Sequence, residues 1–252
     1  MSDEEPKSTE ISIGDIYDNL SAAPVPSRKE KPKTTEEFEE IEDTASENRI
    51  RSSCIEVSGD IEYKNSLIFK HHPVAAGIKA FKNKSPIFTD APVMAAAIAF
   101  RIQEENSKRS RLKAADVFKN TETAKPIPKI RAVPEIICVA DHPKAAEFAQ
   151  KYNLSVAAAG FMIYRDDIKN SIVIIGKDDS ALLSVCRLAE RGSRPYLVLG
   201  FPAGLNTQKD AKRYLAETDL ATPLITMPHT KGGIEAAAAC FVELMKIYED
   251  GL

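Results

Sequence analysis

The chain has 252 residues, 43% of them apolar and 28% charged, with a formal net charge of -3. This mixture can bury a core, suits one large domain with an appendage, and gives no electrostatic case for nucleic acid. No apolar run approaches the roughly 20 residues of a membrane span, and the acidic, polar stretch Met1–Leu20 lacks the pattern of a secretory signal, so a cytoplasmic protein without membrane contact is expected.

Residues 1–47 are rich in Glu, Lys, Pro, Ser and Thr and poor in apolar side chains. Such a segment buries too little surface to offset its ordering entropy, so a mostly disordered, acidic and polar tail is expected ahead of a folded domain over 48–252. Within it, Ile11–Leu20 carries apolar residues at 11, 13, 16, 17 and 20, a pattern that could dock as a short helix, and Thr35–Ser46 is helix-prone. The tail reads as a solvated extension, with a partner-binding arm as the alternative.

From Ile50 onward, short β-branched runs alternate with longer amphipathic or Ala-rich segments. In chain order the pattern predicts a helix over Val74–Lys82, a strand over Ile87–Thr89, a helix over Val93–Arg101 and a strand over Ile136–Ala140. A helix over Lys144–Tyr152 follows, then a strand over Ile172–Ile175 and a helix over Ser180–Arg191. The series closes with a strand over Pro195–Leu199, a helix over Thr207–Ala216, a strand over Leu224–Met227 and a helix over Gly233–Tyr248. Lys119–Pro134 is a proline-punctuated connector. Strands this apolar are covered on both faces, and right-handed crossovers then give a three-layer α/β/α domain with a mainly parallel sheet.

Ligands of open parallel sheets bind where strands end and loops open into helices. The loops to watch are Gly59-Asp60, Thr89–Pro92, Gly176–Asp179, Gly200–Gly204 and His229–Gly233. Glycine lets backbone N–H groups approach a ligand, and Lys177 and Lys231 each precede a predicted helix, where a carboxylate or phosphate is favoured. The alternative is a set of ordinary turns with solvated lysines. His71-His72 before Pro73 reads as a helix lead-in, and His229 has no identifiable partner. The signatures G-x-G-x-x-G, G-x-x-x-x-G-K-[ST] and G-x-S-x-G do not occur. Cys54, Cys138, Cys186 and Cys240 lie tens of residues apart, without zinc-site spacing; Cys138 and Cys240 look like small buried hydrophobes, and no metal is expected.

The order and content of these loops resemble the precorrin-8X methylmutase (precorrin isomerase) family from about Arg49 to Ile247. Glu56-Val57-Ser58-Gly59-Asp60 stands where that family has His-x-x-Gly-Asp. Phe69–Val74 and Ser85–Asp90 follow in the places of its Phe-Ser-x-x-x-Val and Ala-Pro-Ile segments. Gly176–Leu182 compares with Gly-Asn-Ala-Pro-Thr-Ala-Leu, and Gly200–Leu205 with Gly-x-Pro-Val-Gly-Phe. Asp210-x-Lys212 comes next, and Thr230–Ile234 compares with Arg-Lys-Gly-Gly-Ser before an Ala-rich helix. Each match alone is weak, and five in order are specific.

The resemblance implies an isomerase that moves a methyl group between adjacent carbons of precorrin-8X, or cobalt-precorrin-8, to give hydrogenobyrinate or cobyrinate in cobalamin biosynthesis. It implies a homodimer and no cofactor. Carried over residue by residue, Glu56 takes the place of the proton-donating histidine. The substrate-binding set becomes Asp90, Ser155, Gly176, Lys177, Gly200, Pro202, Gly204, Lys231, Gly232 and Gly233. Ser155 stands in for a family arginine and Thr230 for another. Two readings follow: Glu56 donates the proton if an apolar macrocycle buries it, or the fold keeps the pocket as a non-catalytic tetrapyrrole-binding or assembly protein. An unrelated small-molecule enzyme on the same fold is a third.

Overall fold

The structure is a computed structural model that describes residues 43–118, 130, 135–204, 207–218, 220–228 and 230–251. Residues 1–42 of the predicted tail, most of the Lys119–Pro134 connector and His229 lie outside the described residues. The first helix, α1, spans Asp43–Ser58, so residues 43–47 belong to it. It ends where Gly59 turns to φ +67° and its N–H donates to Ile55 O at 2.8 Å. A single turn, α2 (Tyr63–Ser66), leads to β1 (Ile68–Lys70). His72, in the left-handed region, caps α3 (Pro73–Lys82) with Pro73 in its first turn, the lead-in that the sequence suggests.

Strand β2 (Ile87–Thr89) precedes α4, which runs from Pro92 to Phe118, well beyond the predicted end at Arg101. Strand β3 (Ile136–Cys138) passes into a 3-10 turn over Val139–Asp141, followed by α5 (Ala145–Tyr152) and α6 (Val156–Ile163). The C-terminal half alternates regularly: β4 (Ile172–Ile175), α7 (Asp179–Glu190), β5 (Leu197–Gly200), α8 (Thr207–Glu217), β6 (Leu224–Thr226) and α9 (Ile234–Asp250).

The six strands form one sheet in the order β1-β6-β5-β4-β2-β3, parallel throughout except for β1, which pairs antiparallel with β6. Every residue of β4 and β5 is buried, as continuous apolar strands require when helices cover both faces. The pleat divides them between two cores. Ile172, Ile174, Leu197 and Leu199 face α1, α3, α4 and α9, whereas Val173, Ile175 and Val198 face α6, α7 and α8. The expected α/β/α sandwich with a mainly parallel sheet is therefore observed.

Small residues let the helices of the first layer close on one another. Cys54 Sγ lies 3.7 Å from Ala236 O and Ser53 Oγ 3.4 Å from Ala239 O, so α1 packs backbone-close on the Ala-rich start of α9. Cys54, Cys186 and Cys240 are buried, and Cys138 is half-buried. Among the described residues no helix is long and apolar enough to cross a membrane.

Candidate active site

The sheet reverses its direction of growth at β2 and β4. From β2 the chain crosses outward to β3, and from β4 it proceeds the other way to β5 and β6. The helix after β2 (α4) packs in the first layer and the helix after β4 (α7) in the second. Neighbouring strands whose following helices part to opposite faces leave a crevice at their carboxyl ends, the usual ligand position in open α/β sheets.

Asp90, directly after β2, reaches across this crevice. Its Oδ2 accepts from the N–H groups of Lys177 and Asp178, each at 2.7 Å, and its Oδ1 accepts from Gly176 N–H at 3.2 Å. Burial pushes its carboxyl above the ordinary range, against the pull of these three donors. Gly176 is required there by space: a Cβ would sit 2.5 Å from Met94 Cε and 2.9 Å from Ile234 Cα. Asp178 caps α7 by accepting from Ala181 N–H at 3.0 Å, while the Lys177 side chain is exposed.

The next crevice lies between β5 and β6, whose helices α8 and α9 also pack on opposite faces. Two backbone hydrogen bonds tie its loops together: Gly233 N–H donates to Phe201 O at 2.6 Å and Gly204 N–H to Thr230 O at 3.1 Å. Gly232, at φ +142°, has no room for a side chain, because a Cβ would lie 2.4 Å from Phe201 O. Pro202 is buried beside it, and Gly200 at the end of β5 abuts Leu215, where a Cβ would come within 2.7 Å.

The turn after α1 joins the same rim. Lys231 Nζ is 2.5 Å from both Asp60 Oδ2 and Glu62 Oε2, and Tyr63 Oη donates to Gly232 O at 3.4 Å. Hydrogen bonding to Lys231, with help from the Glu62 N–H, holds the Asp60 carboxyl below its ordinary range, and Asp60 and Glu62 in turn raise the Lys231 ammonium. Burial pushes the Tyr63 phenol up to about 12. From below, Lys212 on α8 sends its fully buried ammonium to Lys231 O, and that burial pulls it down to about 8.

The structure thus brings Lys231, Gly232, Gly233, Gly200, Pro202 and Gly204 into one rim, and joins Asp90, Gly176 and Lys177 in a second group. Ile234 links the two, following Gly233 and lying against Gly176. Glu56 and Ser155 make no hydrogen bond or ion pair to either group among the described residues. Glu56, on the last turn of α1, is 66% exposed and pairs with Lys108 Nζ of α4 at 2.9 Å. It borders a groove of about 380 Å³ together with Arg49, Ser52, Glu243 and Lys246. Ser155 Oγ caps α6 by accepting from Ala158 N–H at 3.1 Å.

Sequence reading did not assign Tyr63, Glu62 or Lys212 to the site. The Lys212 spacing from Asp210 carried a resemblance, but nothing in the helical stretch Thr207–Glu217 marks it as buried.

Comparison with known proteins agrees with this architecture. The family model described as precorrin-8X methylmutase matches residues 33–133 and 128–247. The chain is 28% identical over 186 residues to a cobalt-precorrin-8 methylmutase of Methanocaldococcus jannaschii, covering 73% of this chain and 72% of that one. It is 25% identical over 186 residues to a precorrin-8X methylmutase of Pseudomonas aeruginosa, covering 73% and 76%. The solved precorrin-8X methylmutase of Thermus thermophilus superposes with a TM-score of 0.61 at 25% identity, over 81% of this chain and 86% of that one. A family match of this extent, with relatives and a solved structure of the same description covering about three quarters of the chain, shows that the chain belongs to the precorrin-8X methylmutase family.

Proposed function

We propose that this protein is an isomerase of cobalamin biosynthesis that moves a methyl group between adjacent carbons of precorrin-8X, or of cobalt-precorrin-8. The product is hydrogenobyrinate or cobyrinate. The observation that carries the reading is the family match over residues 33–133 and 128–247, which spans both crevices of the sheet. The substrate is a large macrocycle fringed with carboxylates. The exposed Lys177 of the second group supplies a cation for them, Lys231 at the rim supplies another when it turns from Asp60 and Glu62, and the N-terminus of α7 supplies a favourable dipole end. Asp90, Gly176, Gly200, Pro202, Gly204, Gly232 and Gly233 shape the floor and walls, and Ser155 is the altered anion contact. The reaction belongs to residues 48–252, and the reading places the protein in the cytoplasm.

Glu56 is the proposed proton donor. It stands at the carboxyl end of α1, three residues before the Gly59 turn that delivers Asp60 to Lys231. To act as an acid it must leave Lys108 and be covered by the apolar macrocycle, which keeps a carboxyl protonated. A second copy of the chain would contribute that cover. The face of α4 bearing Val93 (51% exposed) and Phe100 (60% exposed) is apolar, adjoins Lys108 on the same helix, and suits a homodimer contact.

Incubation of the purified protein with precorrin-8X tests the reading through the absorption spectrum. Conversion to hydrogenobyrinate is expected, with loss of turnover in E56Q; an unchanged spectrum overturns the isomerase reading. The exposed, ion-paired Glu56 favours one alternative, a tetrapyrrole-binding protein without turnover, and binding without conversion would establish it. Full conversion by E56Q removes Glu56 from the mechanism. Sedimentation of the full chain, with F100D as the disrupting variant, tests the dimer.

A further inference from the structure

Lys212 is the only lysine with no exposed surface among the described residues. It sits in the middle of α8 and, among the described residues, makes one hydrogen bond, to Lys231 O, and no ion pair. A buried ammonium without a counter-charge is costly, and helices select lysine for solvent far more often than for such a position.

Among the described residues, the charged groups around it are otherwise engaged or point to solvent. On α7, Glu190 accepts from Tyr214 Oη and Arg187 is exposed. On α8 itself, Arg213 and Glu217 are exposed. Strand β6 presents only Leu224, Ile225 and Thr226, and Thr226 Oγ1 donates to Gly200 O at 2.6 Å. The Lys231 ammonium goes to Asp60 and Glu62.

Building on the isomerase reading, we infer that Lys212 is a positioning residue for the carboxylate-binding rim. Its ammonium fixes the Lys231 carbonyl, holds Gly232 and Gly233 against Phe201, and lays a buried positive charge beneath the place where a substrate carboxylate docks. The geometry behind this is continuous: Lys212 Nζ to Lys231 O, Gly233 N–H to Phe201 O, and Gly204 N–H to Thr230 O. The local charge also calls for it. Among the described residues, Lys231 alone pairs with Asp60 and Glu62, a balance of minus one that repels a polyanion, and Lys212 restores neutrality.

The test titrates the full chain with hydrogenobyrinate by absorbance from about pH 6.5 to 9.5, in wild type, K212M and K212R. Hydrogen exchange at the Gly204 and Gly233 amides is followed without ligand. K212M is expected to bind about tenfold more weakly at neutral pH, the size of one charge-assisted hydrogen bond. Wild type is expected to lose affinity as the pH passes about 8, where Lys212 loses its proton. K212M should be flat over that interval and exchange faster at both amides. K212R, charged throughout, should restore neutral-pH binding without the alkaline fall. Equal affinity and an equal alkaline fall in wild type and K212M overturn the inference. If wild type does not bind hydrogenobyrinate, faster exchange in K212M supports the positioning role and overturns only the isomerase reading; unchanged exchange overturns both.

Discussion

Replacing Lys212 by methionine should make the protein more stable at neutral pH and less stable at high pH. Methionine keeps most of the side-chain volume and removes the charge, so packing changes little. The ammonium is pulled from 10.5 to about 8 by desolvation alone. Holding it charged at pH 7 therefore costs about 3 kcal/mol. Against this, wild type keeps a charge-assisted hydrogen bond to Lys231 O, worth about 1.5–2 kcal/mol. The net expectation is that K212M gains about 1–2 kcal/mol, or roughly 3–6 °C in Tm for a domain of this size.

The folded value lies below the unfolded one, so the unfolded chain binds more protons between about pH 8 and 10.5. Wild type therefore gains on K212M across that window. Above it only a neutral hydrogen bond distinguishes them, and wild type should lead by about 1 kcal/mol. Urea unfolding followed by circular dichroism at several pH values measures the difference directly, since the chain has no tryptophan for fluorescence. A K212M variant that is less stable at pH 7 by a margin constant with pH would refute the reasoning.

Other perturbations follow from the same contacts. D90A leaves the buried N–H of Gly176 and the part-buried N–H groups of Lys177 and Asp178 without their acceptor, and should cost about 2–4 kcal/mol in denaturant unfolding; a loss below about 0.5 kcal/mol would show that water replaces the carboxylate freely. G232A drives a methyl group onto Phe201 O in a backbone region closed to alanine, so a loss of about 1–3 kcal/mol and faster exchange at the Gly233 amide are expected; wild-type exchange would mean that the loop relaxes without strain. Asp60 is held below 3.8 by Lys231, so its contribution is present above that value and lost as the pH falls through the lower folded one. Acid titration by circular dichroism should show the lead of wild type over D60N disappearing in that range and shrinking with added salt; a lead that survives both would exclude the ion pair as its source.

An element is legible in the sequence where local pattern, rather than tertiary surroundings, decides it. Strands β4 and β5 were plain because every residue of each is apolar and buried, leaving no competing period. Strand β1 is not legible in the sequence: Ile68-Phe69-Lys70 is only half-buried, and antiparallel pairing with β6 creates it. The predicted end of α4 at Arg101 followed the loss of apolar residues. The helix continues because Gln, Glu, Lys, Arg and Leu propagate helix well even on solvent. Helix α6 escaped because Val156–Ile163 is apolar all round, the mark of a buried helix rather than an amphipathic one. Its Gly160 packs where a Cβ would lie 2.3 Å from Val139 O.

In the site, the glycine-marked loops were visible in the sequence because tight backbone approaches leave glycine and little else. Their partners were not. Asp90 stands among the site candidates in the sequence, but only the fold aims it at three N–H groups, and Lys212 reads as one of several helix lysines until α8 lies down on β6. Such roles depend on residues 86 positions away in one case and 19 in the other, a separation that local pattern does not encode.

The carboxylate that spans the gap between β2 and β4 has a consequence for the form of any guest. By stitching the two strand ends together it seals the fissure into which slender ligands of such sheets normally slide. A guest docking at this end of the sheet must therefore lie across the joined loops instead of entering between β2 and β4, which suits a broad, flat molecule better than a slender one.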